Sequence, residues 1–313
     1  MFKWIYVSLI FLGIFGVSNT VSAQRVSPSP EEIIQITAQW KGERFADGRP
    51  KVPDELLARL KNISIEEAWS VLRNRGYNNQ FEGNWHILNP EEAMTGRVVT
   101  AQYLPMRPDY HEPFREQGIK QGRSSSGFTN SWPIEILKDG DIYVADGFEK
   151  IIDGTLIGDN LGNSIYAKTK RGVIFFGAVR DVAGLSKIDG FNAWYKGEDP
   201  SFIKDMMLAG INTPIRVGRA TVLPGDAVLA KKGGVIFIPA HLLNEVVITA
   251  EVTQLRDEFG IQRLKEGKYT PGEIDSAWSE AIKQDFFNWL DKYPGKLPMS
   301  KKELDDYFKE RNY

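Results

Sequence analysis

The stretch that most limits what this chain can become is residues 158–181, GDNLGNSIYAKTKRGVIFFGAVRD. It opens on Gly-Asp and closes on Arg-Asp, with twenty residues, 160 to 179, between the two pairs. Leu161 and Ile165 are four apart and share one helical face. Lys168, Lys170 and Arg171 put positive charge in the last turn, where the helix dipole favours it. Gly172 is then expected as the C′ glycine that stops the helix. Val173 to Val179 is a near-continuous apolar run of strand length, which predicts a strand covered on both faces. Asp159 therefore stands at a helix entrance, and Arg180 and Asp181 at the C-terminal end of the following strand. A helix that runs back along its next strand brings these two places together.

Such a meeting point suits one kind of chemistry. The free N–H groups of the first helical turn, around Asn160, Leu161, Gly162 and Asn163, form an anion site. An arginine opposite them grips a carboxylate through its planar fork. Two aspartates suit a hard cation such as Mg²⁺, which takes one or two carboxylates and keeps several waters. Together they would hold an organic acid beside a metal and stabilise negative charge on the carbon next to its carboxyl group. The bland alternative is a helix–strand unit with surface ion pairs. A specified second dipeptide at a fixed offset arises by chance in about 1 of 400 trials at average residue usage, so the pairing favours a site.

The G-D-x20-R-D pattern resembles the signature of the RraA-like family and its class II, pyruvate-type aldolases related to 4-hydroxy-4-methyl-2-oxoglutarate aldolase, also labelled dimethylmenaquinone methyltransferase-like. The resemblance runs over roughly residues 63–264. It includes Gly96-Arg-Val-Val-Thr100, the run from Leu137 to Asp146, Val222-Leu-Pro-Gly-Asp226 and Gly234-Val-Ile-Phe-Ile-Pro239. It implies an α/β fold built on a swivelling β/β/α domain, assembled as a homotrimer or homohexamer with the site at a subunit interface. It implies further that Asp181 ligates a divalent metal, Mg²⁺ or Mn²⁺, directly and that Asp159 holds it through water. Arg180 would bind the substrate carboxylate and enolate oxygen, and the amides of Asn160 to Asn163 the carboxylate's other side. A glutamate from a neighbouring subunit completes the metal's water shell in the aldolases. Glu258 is the candidate here and Asp257 the alternative, with a solvated helical face as the competing reading. Lys231 and Lys232 stand where the family usually has an acidic residue, which leaves any role of that acid in doubt.

The remaining sequence adds boundaries. Residues 1–23 read as a secretory signal: Lys3 supplies the positive start, Trp4 to Val17 is a mostly apolar run of 14 residues, and Val21-Ser22-Ala23 fits the cleavage pattern. That run is shorter than the roughly 18–20 residues of a membrane span, so no membrane attachment is expected after cleavage and the product would be periplasmic or secreted. The chain has no cysteine, which excludes disulfides, thiolate metal sites and cysteine nucleophiles. A formal net charge of −2 gives no electrostatic case for nucleic acid. No P-loop, Rossmann glycine pattern or zinc motif is present.

Four segments follow: the signal, a linker and helical extension over 24–62, a catalytic domain over 63–264, and a C-terminal helical extension over 265–313. Helices are expected at Glu31 to Trp40, at Asp54 to Lys61, and from the capping box Ser64-Ile-Glu-Glu67 to Arg75. Residues 106–132 depart from the compact family members, with Arg107, His111, Arg115, Lys120 and Arg123 among glycines and serines. They read as a solvated loop or, more sharply, as a substrate-binding insertion with His111 as a possible acid or base. His86 and His241 read as structural. Phe191, Trp194 and Tyr195 read as core or interface, and Ser201 as the cap of a helix Phe202 to Leu208. Helices are also expected over His241 to Arg263, along the stripe Trp278, Ile282, Phe286 and Leu290, and after the capping box at Ser300.

Two function classes remain. One is an exported metal-dependent lyase, as a dehydratase of uronic-acid-ended oligosaccharides or as a retro-aldol lyase or decarboxylase of 4-hydroxy-2-oxo acids or oxaloacetate. The other is a non-catalytic RraA-like binding or regulatory protein.

Overall fold

The computed structural model describes residues 25–311 except 294 and 296, so the signal segment lies outside the described residues. Among the described residues eleven strands occur in chain order: β1 (Phe81–Glu82), β2 (His86–Ile87), β3 (Met94–Pro105), β4 (Asp141–Asp146), β5 (Val173–Val179), β6 (Ala193–Glu198), β7 (Met206–Ile211), β8 (Ile215–Val217), β9 (Ala220–Val222), β10 (Ala227–Lys231) and β11 (Gly234–Ile238). Nine form one mixed sheet in the order β1-β11-β10-β3-β4-β5-β6-β2, with β7 also on β3, while β8 and β9 pair separately. The centre, β3 to β6, is parallel, and the pairings at both ends are antiparallel. This is an α/β architecture, one mixed sheet with flanking helices and helical extensions before and after it, as expected.

Strand alternation sorts the core into faces. Val99, Tyr143, Val173, Phe175 and Tyr195 point to the face covered by the signature helix and residues 108–137. Val98, Ile142, Val144, Ile174 and Trp194 point to the other, closed by β8–β9 and β10–β11. Phe191, Trp194 and Tyr195 are buried, as expected. A third cluster packs helices Asp54–Leu60, Ile65–Asn74 and Leu243–Lys265 on β10 and β11. The capping box at Ser64 forms, and the C-terminal helices Glu280–Leu290 and Lys301–Glu310 close an aromatic cluster of Phe259, Trp278, Phe286 and Trp289 on helix Leu243–Lys265. Among the described residues, no helix is long and apolar enough to cross a membrane.

Four expectations are corrected. The first helix is Pro30–Ile36 and stops short of Trp40, capped by Thr37. Residues 108–120 are helical, with Pro108 at the first turn and Phe114 and Gly118 buried against Trp132. Residues 202–205 are irregular and Met206–Ile211 is a strand, because β3 offers an antiparallel edge to pair with. The signature helix ends in left-handed Lys170 (φ 54°) instead of at a C′ Gly172. Gly172 instead admits the Asn192 carbonyl, which a Cβ would overlap.

Candidate functional site

The helix Asp159–Thr169 and strand β5 lie where the spacing puts them. The preceding segment does the positioning. Thr155 bridges to Ala178 in parallel, the Leu156 amide donates to Ala178 O at 2.9 Å, and the Arg180 amide donates to Ile157 O at 3.0 Å. Gly158 therefore emerges beside Arg180 and Asp181, one residue before the helix begins.

Gly158 is the N-cap and has no side chain to cap with. The Asn160 amide is taken by the Asp159 Oδ1 at 2.8 Å and the Gly162 amide by Gly158 O at 2.9 Å. The Asp159 and Leu161 amides have no protein partner among the described residues. The Asn163 side chain donates back to Asp159 O at 2.9 Å. So the helix mouth keeps open donors, a fixed partial positive charge available to an anion.

Asp181 has φ 56°, in the left-handed region, and precedes the short helix Val182–Leu185 without capping it through its side chain. That conformation costs a non-glycine residue about 1 kcal/mol, and it directs the carboxylate toward Gly158. A Cβ on Gly158 would overlap Asp181 Oδ2 and stand 3.1 Å from Arg180 Nε. On the other side, a Cβ on Gly184 would come within 2.6 Å of Asp159 Oδ2. Two glycines thus let the two aspartates and Arg180 close on one mouth. Arg180 Nε lies 3.5 Å from Asp181 Oδ2, with the two side chains 40% and 43% exposed. A pair this solvated contributes at most about 1 kcal/mol. The rest of the Arg180 guanidinium has no partner among the described residues.

The donor set fits a hard divalent cation: two carboxylates on an open, water-accessible rim suit Mg²⁺, which keeps much of its hydration. Among the described residues no three His, Cys, Asp or Glu side chains group as a metal site within one chain. Glu258 is exposed on helix Leu243–Lys265 and accepts from Tyr293 Oη at 2.9 Å; Asp257 beside it is also exposed. Neither stands with Asp159 and Asp181 in a single chain. His86 stacks on Tyr195 at 5.7 Å, and His241 meets Tyr77 Oη at 3.4 Å, both structural contacts.

Sequence reasoning missed Phe128, Phe202 and Lys204, which face His111 and Arg115 across a cleft. The only local cue was His111 and Arg115 at a four-residue interval, a spacing that shares a face once the segment is known to be helical.

A fold and mouth of this kind define an RraA-type protein. The family model for RraA-like proteins (Aldolase/RraA) matches residues 52–237, more than half the chain, and the chain belongs to that family, which includes metal-dependent lyases and regulatory inhibitors. Protein DlpA of Legionella pneumophila subsp. pneumophila (strain Philadelphia 1) is 27% identical over 218 residues, 65% of this chain, and this match spans 30% of that protein's length. The structure is similar to RraAS2 of Streptomyces coelicolor, an unusual member of the RNase ES inhibitor RraA family, with TM-score 0.58 and 23% identity over 68% of this chain and all of that one. It is also similar to an uncharacterized protein from Pseudomonas syringae pv. tomato, with TM-score 0.55 and 18% identity over 72% of this chain and all of that one.

Proposed function

We propose that the protein is an exported, divalent-metal-dependent lyase that stabilises an enolate next to a carboxylate, acting as a dehydratase on uronic-acid-ended oligosaccharides. Asp181 and Asp159 would hold the cation, Mg²⁺ or Mn²⁺, with Glu258 of another copy as the third acid in a homotrimer or homohexamer. Bound there, such an ion supplies Lewis-acid polarisation of the acid's oxygens. Arg180 orients the substrate carboxylate through its fork and offsets the charge that grows when the adjacent carbon loses its proton. The open Asp159 and Leu161 amides take the other carboxylate oxygen. Departure of the β-hydroxyl as water then leaves a carbon–carbon double bond conjugated with the acid.

The observation that carries this reading is the strained Asp181, which forgoes capping its own helix to face Gly158 beside an arginine whose fork is otherwise unengaged. The same apparatus serves a retro-aldol or decarboxylase reaction on oxaloacetate or a 4-hydroxy-2-oxo acid. Incubation with uronate-ended oligosaccharides and with oxaloacetate, in Mg²⁺ or Mn²⁺, separates the two: ultraviolet absorbance of a new double bond against release of pyruvate. Asp181→Ala is expected to abolish whichever signal appears. No turnover of any acid, together with no effect of Asp181→Ala, would leave a binding protein as the correct reading.

A further inference from the structure

A second cleft, of about 290 Å³, opens between the helix Pro108–Lys120 and the segment that leads into β7. That volume lies at the small end of ligand sites, roughly 300–1,000 Å³. Its walls carry His111, Arg115, Phe128, Phe202, Lys204 and Asp205. Phe128 and Phe202 are 63% and 56% exposed, their ring centroids 6.2 Å apart and the planes inclined by 30°. Two adjoining bare phenyl rings are an apolar platform that water solvates poorly. His111 Nδ1 is shut off from solvent with no hydrogen-bond partner. Arg115 spends one N–H on Ser125 O at 2.8 Å, and Lys204 stands on the same wall. Against these cations stands one acid, Asp205.

Both walls are tied to the segment that delivers Gly158. Asn130 donates to Leu156 O at 2.7 Å, the Thr155 hydroxyl donates to Ser201 O, and the Lys204 amide donates to Asp153 O at 2.8 Å. Gly158 is three residues beyond Thr155, about 10 Å of extended chain. The cleft walls and the Arg180 mouth are therefore joined through one short run of backbone, residues 153–158.

We propose that this cleft is a subsite for the second unit of an acidic oligosaccharide, whose ring packs on Phe128 and Phe202 while Arg115 and Lys204 hold its carboxylate or sulfate. The inference rests on the lyase reading for the first unit, bound at Arg180, and adds a length and charge requirement. Asp205 faces the same space and disfavours a unit with anionic groups on its side.

Calorimetry on the full chain with Mg²⁺ tests it, using digalacturonate and a sulfated chondroitin disaccharide against galacturonate, with Phe202→Ala and Lys204→Gln as variants. One disaccharide is expected to bind the wild type at least tenfold more tightly than the monosaccharide. Each variant should cut that ratio about tenfold while the melting temperature holds. Equal binding of mono- and disaccharides by the wild type, or an unchanged ratio in both variants, overturns the subsite. So does a Phe202→Ala variant that sediments at lower mass, since the rings would then be a subunit contact. Acid turnover without disaccharide preference sinks this inference alone. Preference lost in both variants, with turnover indifferent to Asp181→Ala, sinks the lyase reading and leaves the cleft standing.

Discussion

Replacing Gly158 with alanine tests the mouth without removing a charged group. The backbone there is extended (φ −118°, ψ −167°), which alanine adopts without strain. The added methyl instead meets Asp181 Oδ2 and lies 3.1 Å from Arg180 Nε and 3.2 Å from Arg180 Cγ. Room can be made by moving the Asp181 carboxylate or the Arg180 stem, by something on the order of 1 Å. A misplacement of that size costs about 10²-fold in rate, or about 2.7 kcal/mol of barrier. Stability should hardly respond: exchanging glycine for alanine at an N-cap costs about 1 kcal/mol or less, a shift of roughly 2–4 °C in a chain of this size. The assay is kcat/KM on the acid that the wild type turns over, at saturating Mg²⁺, beside a thermal melt. A variant within threefold of wild type, with its melting temperature kept, would refute the claim that these three side chains form one site.

Three further outcomes follow from burial. Arg49 and Asp141 form a wholly buried pair, with guanidinium nitrogens 3.1 and 3.2 Å from the two carboxylate oxygens, so Arg49→Met should lower urea-melt stability by about 3–5 kcal/mol by stranding a charge. Burial lifts the Asp226 carboxyl to about 7 against an ordinary 3.8, although the Leu223 and Ala240 amides oppose the shift. The native chain then holds a proton that the unfolded chain has lost between about pH 4 and 7, so stability falls with rising pH over that window, by up to about 4 kcal/mol, and is flat above it. Asp226→Asn should flatten that part of the pH–stability curve; an unchanged slope would contradict it. Phe286→Ala should cost about 3–5 kcal/mol by opening the aromatic cluster between the C-terminal helices and helix Leu243–Lys265, measured by denaturant unfolding.

The signature was legible because period and chemistry agree there: Leu161 and Ile165 mark one helical face, and Val173–Val179 is apolar at every position except Gly177. Other elements were decided by partners that local sequence does not display. Residues 108–120 carry Pro113 and Gly118, poor helix interiors by propensity. Yet Gly118 is there because Trp132 lies against it, and that contact is tertiary. Met206-Met-Leu208 favours a helix by composition, and the free edge of β3 overrides it. Gly172 looked like a helix stop and is a close approach to Asn192. The cleft was illegible for the same reason, since Phe128 and Phe202 are 74 residues apart and meet only after β7 pairs.

Two arginine–aspartate pairs in this molecule separate structure from chemistry. Arg49 and Asp141 engage through two bonds, fully desolvated, with Asp47 on the remaining nitrogen. All three guanidinium nitrogens and both Asp141 oxygens are engaged out of reach of solvent, so that pair holds strand β4 to the N-terminal extension and is not presented to a ligand. Arg180 and Asp181 touch through one nitrogen at 3.5 Å, half in water, and the aspartate sits in a conformation its backbone resists. An arrangement that adds little stability and carries strain is disfavoured unless a bound group repays it. The open amides, the unengaged fork and the second carboxylate at the same mouth are the groups that the proposed anion and cation would use.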